Sequence, residues 1–125
     1  MTRIGFKEIA CVAFVLAVPA AALAAGPGFN CAKARAADEK AVCKSAALSR
    51  LDRQMQSMYR EIQGCALMGA RGANYDDQTD WLAKRKQCGV NTRCIKALYD
   101  KRLAELKPDV KWARSERKAG RCPDQ

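Results

Sequence analysis

The chain has 125 residues with 23 Lys and Arg against 13 Asp and Glu, a formal charge of +10, and no histidine. That size allows one small domain, and the missing imidazole removes the commonest general base and metal ligand. A strongly cationic chain favours anionic partners through a long-range field that salt screens; simple solubility is the plainer reading of the same charge.

Arg3 and Lys7 precede an apolar run from Ile9 to Ala24 that ends in Ala22-Leu23-Ala24. This is the layout of a secretory leader, residues 1–24, with cleavage after Ala24. The run is broken by Pro19 and is marginal for a bilayer span. Neither Cys11 nor Cys31 follows the tripeptide of a lipoprotein cysteine. Loss of the leader removes Arg3, Lys7 and Glu8, two positive charges and one negative, and takes the balance from +10 to +9. It also removes Cys11 and leaves Cys31, Cys43, Cys65, Cys88, Cys94 and Cys122 in an oxidising compartment, an even set suited to three bridges. A periplasmic or secreted protein is expected. Metal binding by these cysteines is disfavoured, because Cys88 and Cys94 are too far apart for a Cys-x-x-Cys clip; no cofactor is expected.

Residues 25–30 read as a linker around Gly26-Pro27-Gly28. From Lys33 to Cys43 an Ala, Lys and Glu-rich stretch without Gly or Pro suits a short helix. Ser45 can cap a second, whose Leu48, Leu51, Met55, Met58, Tyr59 and Ile62 recur at steps of three and four as one buried face, ending at Gly64. Cys65 to Asn74 reads as a glycine-punctuated loop carrying Arg71 between Gly69 and Gly72. A third helix is predicted from about Tyr75 to Gln87, with Asp76 and Asp77 at its positive end and Lys84, Arg85 and Lys86 at its negative end. Asn91 or Thr92 can cap a fourth, with Ile95, Leu98, Tyr99, Leu103 and Leu106 inward, ending before Pro108. No segment alternates like a strand, so the fold class is all-α, a disulfide-stapled hairpin or bundle of about four helices. In the basic C-terminal extension, residues 107–125, Lys107, Lys111, Arg114, Lys118 and Arg121 form a single stripe if helical; a solvated tail is the alternative, and Cys122 tethers it.

An enzyme would need an acid, base or nucleophile, and histidine and a spare thiol are both lacking. Glu39, Asp52, Glu61 and Asp80 lie near Arg35, Arg53, Arg60 and Lys84 and read as helix-surface ion pairs. Asp52 and Arg85 can instead form a buried tie between helices, with Arg85 stacked on Trp81. Trp81, Tyr59 and Tyr99 read as core. Trp112, set among cations, can anchor a partner or a membrane interface. No catalytic residue is assigned.

Phe29-Asn30-Cys31, Ala34, Glu39, Val42-Cys43, Leu48, Leu51-Asp52, Tyr59, Gln78, Trp81-Leu82, Arg85, Cys88, Cys94, Tyr99, Arg102-Leu103 and Leu106 together resemble the LprI-like lysozyme inhibitor family, also catalogued as a domain of unknown function. The resemblance spans Phe29 to Leu106 and combines two cysteine pairs with a Trp-Leu-x-x-Arg-x-x-Cys helix and a Tyr-x-x-Arg-Leu helix. It implies a mostly helical, secreted or envelope-associated domain, pairing of Cys31 with Cys43 and of Cys88 with Cys94, and lysozyme or another cell-wall hydrolase as partner. Ala37 replaces a proline of the family pattern. The loop with Cys65 and the tail with Cys122 look additional, and those two are expected to pair.

Many animal lysozymes are cationic, so a +9 inhibitor meets repulsion, which Arg71 on its loop can evade by entering the acidic cleft; a plain flexible linker is the alternative reading of that loop. The competing reading is a basic envelope module binding anionic polysaccharide or lipid head groups through Lys107, Lys111, Arg114, Lys118, Arg121 and Trp112. Sequence-specific nucleic acid recognition is not expected, since the stripe lacks spaced aromatics for base stacking.

Overall fold

The computed structural model describes residues 26–123; the predicted leader, Cys11 and the last two residues lie outside them. A 3-10 turn, Cys31–Lys33, precedes α1 (Ala37–Lys44), α2 (Ala46–Gln63), α3 (Met68–Gln87) and α4 (Thr92–Lys118). No strand occurs among the described residues, and the all-α expectation holds. α2, α3 and α4 run up, down and up. α2 and α4 share the most extensive contact, and α1 packs across α2 and α3.

The predicted caps form. Ser45 Oγ accepts from Leu48 N at 3.2 Å and Asn91 Oδ1 from Cys94 N at 3.0 Å. Glu39 Oε2 turns back onto the N–H groups of Arg35 and Ala36 and closes the start of α1. Val42, Leu48, Met55, Ile62, Trp81, Ile95, Tyr99, Leu103, Leu106 and Val110 make the core, with Leu51, Met58, Leu98 and Phe29 packed against it. The α3–α4 turn passes through Gly89 at φ +54°, a left-handed conformation that glycine adopts without Cβ strain.

Three bridges close this body, Cys31–Cys43, Cys65–Cys122 and Cys88–Cys94, at Cα separations of 5.9, 4.5 and 5.7 Å. Chain-entropy arguments assign them roughly 3, 4 and 2 kcal/mol. They place the folded chain in a non-reducing, extracytoplasmic setting. No helix among the described residues is long and apolar enough to cross a membrane.

Besides the start of α1, which lies at Ala37 and not at the predicted Lys33, three boundaries differ from expectation. First, α3 begins at Met68, so the predicted loop up to Asn74 is mostly helix. Arg71 causes this: its Nε donates to the Gln63 and Ala66 carbonyls at 3.1 and 2.8 Å, while Gln63 Nε2 donates to the Arg71 carbonyl and Asn74 Nδ2 to Gln63 Oε1. Orphan carbonyls at the end of α2 are thereby satisfied, which outweighs the low helix propensity of Gly69 and Gly72. Second, α4 does not end before Pro108 but runs through it to Lys118. Pro108 is exposed, and the helix beyond it is held by buried Val110 and Ala113 and by the Cys65–Cys122 bridge. Residues 107–118 are thus part of the core helix, not a separate extension. Third, the segment read as a linker packs on α2: Gly28 N donates to Asp52 Oδ2 at 2.7 Å and Arg53 donates to the Gly26 carbonyl. A Cβ on Gly28 would lie 2.7 Å from Gln56 Cγ, so a larger residue here would force the Gln56 side chain to shift.

Candidate functional site

The polar heart of the bundle is Arg85, one turn after Trp81 on α3. Its Nε lies 2.8 Å from Asp38 Oδ2, its Nη1 3.4 Å from Asp52 Oδ1, and Nη1 donates to the Tyr99 hydroxyl at 2.8 Å. That hydroxyl in turn donates to Asp52 Oδ1 at 2.7 Å. The guanidinium sits 5.6, 5.8 and 6.0 Å from the ring centres of Phe29, Trp81 and Tyr99. The predicted Asp52–Arg85 tie and the Arg85–Trp81 stacking are both present.

Burial works against the Arg85 charge, but Tyr99 and the hydrogen bonds to Asp38 and Tyr99 more than offset it, and the group stays protonated. Burial, reinforced by Asp52 and opposed by Arg85, pushes the Tyr99 hydroxyl well above the usual tyrosine range. Two carboxylates, a guanidinium and a phenol are all sealed from solvent. Asp38 Oδ1 alone lacks a partner there. This arrangement fixes four helices relative to one another and exposes no group to a substrate.

Asp38 escaped the sequence reading because an acid in a first helical turn looks like an ordinary dipole partner. A second buried arginine, Arg102, was likewise missed: Nη1 pairs with Asp77 at 2.8 Å and Nη2 with Gln78 Oε1 at 3.1 Å, while Gln78 Nε2 reaches Met55 Sδ. Its sequence signals were its place among the inward α4 residues and in the Tyr-x-x-Arg-Leu pattern, neither of which marks an arginine as buried. Arg102, Asp77, Lys84, Glu105 and Asp109 also border a cleft of about 300 Å³ floored by Trp81, with half-buried Tyr59 on its wall.

Of the four carboxylates expected in helix-surface ion pairs, three take other roles. Asp52 is fully buried and Glu39 caps α1. Glu61 is held by Arg114 through two hydrogen bonds of 2.8 and 3.1 Å, not by Arg60.

On α4, Lys107, Lys111 and Arg114 border one α2–α4 groove of about 500 Å³, and Lys118 follows one turn beyond Arg114. Arg114 is committed to Glu61, and Arg121, past the helix end, to Glu116. Among the described residues Lys107, Lys111 and Lys118 of the stripe form no ion pair. Trp112 is 47% exposed.

Arg71 is on a helix with its guanidinium folded onto α2, so the expected projecting loop residue is corrected to an end cap. The convex element lies elsewhere. Cys88–Cys94 closes the α3–α4 turn, on which Val90 is 74% exposed and Arg93 is exposed. Beside it a groove of about 460 Å³ is bordered by Arg35, Lys40, Lys44 and Val90. Among the described residues no group of His, Cys, Asp and Glu could hold a metal ion.

Comparison with known proteins found no matching family model, no matching curated protein and no matching solved structure. The class that the geometry defines is a three-disulfide helical domain with a cationic exterior.

Proposed function

We propose that this chain is a periplasmic or secreted binding protein, not an enzyme, and that its partner is a lysozyme or another cell-wall hydrolase. The observation carrying this reading is the stapled α3–α4 turn. A seven-residue disulfide-closed loop loses little conformational entropy on binding. Its apolar tip at Val90 is flanked by Arg93, Arg35, Lys40 and Lys44, a local cationic feature suited to an acidic cleft even where net charges repel. The resemblance of Phe29 to Leu106 to LprI-like inhibitors favours the same partner class. That Asp38 and Asp52 are bound up with Arg85 favours a non-enzymatic role.

The test is titration of the oxidised protein into cationic and acidic lysozymes with peptidoglycan turnover as readout. Saturable inhibition is expected, weakened at least tenfold by Val90→Asp with Arg93→Glu; Arg71→Ala should inhibit like wild type. Inhibition unaffected by the Val90 and Arg93 changes would refute the assigned surface.

A second reading, contact with an anionic envelope polymer or lipid head groups, is favoured by Lys107 and Lys111 along the α2–α4 groove, with Lys118 further along the same helix. Because α4 is core, deleting residues 107–125 would unfold the domain. Lys107→Gln, Lys111→Gln and Lys118→Gln together are the appropriate probe, expected to lower salt-sensitive polyanion binding and spare inhibition.

A further inference from the structure

The end of the bundle opposite the Val90 turn carries two of the three largest exposures of big apolar side chains among the described residues. Leu67 and Met68, consecutive at the α2–α3 turn, are 72% and 88% exposed. Leu67 also occupies the N-cap of α3 and makes no side-chain cap hydrogen bond, although Ser, Thr, Asp or Asn would stabilise that position. Two large apolar side chains are thus kept in water where polar residues would serve the fold better. They are held firmly as well. The Arg71 guanidinium binds the carbonyl of Ala66, the neighbour of Leu67, and Cys65–Cys122 staples the same turn to the end of α4.

The surroundings are cationic. Arg60 and Arg71 border a concavity of about 430 Å³ beside the turn. Arg117 Nη2 reaches the Glu61 carbonyl at 3.2 Å, and Lys118 and Arg121 follow at the same end. Two acids among the described residues there, Glu61 and Glu116, are already taken by Arg114 and Arg121. Among the described residues Arg60, Arg71, Arg117 and Lys118 form no ion pair.

We propose that this end adsorbs to an anionic phospholipid bilayer, with Leu67 and Met68 entering the interface and Arg60, Arg71, Arg117 and Lys118 meeting lipid phosphates. Charge selects the occupant. A second copy of a chain carrying +10 would be repelled, and a soluble polyanion would leave the apolar pair without a counterpart. An anionic bilayer supplies both an apolar phase and negative charge within one surface. Adsorption this way stands α2 and α4 end-on and leaves the Val90 turn facing away. The inference is independent of the hydrolase reading and narrows the anionic-envelope reading to lipid; it shares Lys118 with the α4 stripe and otherwise uses different residues.

The test is flotation of the oxidised, leader-free protein with vesicles of phosphatidylglycerol and phosphatidylcholine, against phosphatidylcholine alone. Binding should require the anionic lipid and fall with salt. Leu67→Ser with Met68→Ser should weaken it at least tenfold, and Arg60→Gln and Lys118→Gln by about fivefold each, with circular dichroism and lysozyme inhibition unchanged. Leu67→Trp should show an emission blue shift on anionic vesicles. Wild-type binding by the Leu67 and Met68 double variant, equal binding to phosphatidylcholine, or no vesicle binding would each overturn the proposal. Inhibition of lysozyme surviving any of these keeps the hydrolase reading separate.

Discussion

Tyr99→Phe removes one oxygen from the most enclosed point of the bundle. That oxygen donates to Asp52 Oδ1 at 2.7 Å and accepts from Arg85 Nη1 at 2.8 Å, and both partners are buried charges. Hydrogen bonds to charged groups contribute about 1.5–3 kcal/mol each, and buried orphans cost comparably. Asp52 keeps Gly28 N on its other oxygen and Arg85 keeps Asp38, so the lower end applies and the loss should be about 3 kcal/mol. Against a domain stability of roughly 5–15 kcal/mol this is a large share, though the disulfides remain. With a urea slope of about 1.5 kcal/mol/M, the midpoint should fall by about 2 M. Tyr59→Phe is the control, since its half-buried hydroxyl only accepts from Gln63 Nε2, and about 1 kcal/mol or less is expected. The losses from Tyr99→Phe and Asp52→Asn should be strongly non-additive. A Tyr99→Phe midpoint within 0.3 M of wild type, on the order of 0.5 kcal/mol at that slope, would show that the network only fills space.

Gly69→Ala and Gly72→Ala place a methyl in open space on α3 and should each stabilise by about 0.5–1 kcal/mol, raising Tm by roughly 2–8 °C per substitution; a fall in Tm would mean that this stretch is not helical in solution. Pro108→Ala restores an N–H within α4 and should also raise Tm, by an amount that calorimetry would read directly; destabilisation would contradict the continuous helix. In acid, Glu39 is held below its ordinary value of 4.5 by the N–H groups of Arg35 and Ala36, and Glu61 and Glu116 by hydrogen bonds from Arg114 and Arg121. Depressed carboxyl pKa values stabilise the fold above 4.5, and that stabilisation is lost as pH falls through the folded-state values. Tm should therefore be level near neutrality and drop below about pH 4.5, with Glu39→Gln lower at pH 7 and less steep in acid. A Tm rising on acidification would reverse the assigned direction.

The helices that sequence located well are those whose apolar period and caps agree, α2 with Ser45 and α4 with Asn91. Where local signals opposed the tertiary structure, the latter prevailed. Gly69 and Gly72 argue for a loop, yet Arg71 and Gln63 zip the α2–α3 turn from both sides. Pro108 argues for a stop, yet Val110 and Ala113 are worth burying and Cys122 pulls the chain onward. Asp52–Arg85 was legible because Arg85 lies one turn after Trp81 on α3 and Asp52 sits beside Leu51 on the inward face of α2. Asp38, 47 residues before Arg85, had no such mark, for pairing across that distance is set by how α1 folds over α3. The exposure of Leu67, Met68 and Val90 was equally invisible, since an apolar residue in a turn reads the same whether it faces core or water.

The stapled framework underlies each surface assigned to this protein, and a peptide map under non-reducing alkylation, on material recovered from its native location, tests it most directly. The map should contain Cys31 linked to Cys43, Cys65 to Cys122 and Cys88 to Cys94, with none of the six alkylated. Alkylated thiols at these positions, or any other pairing, would contradict it.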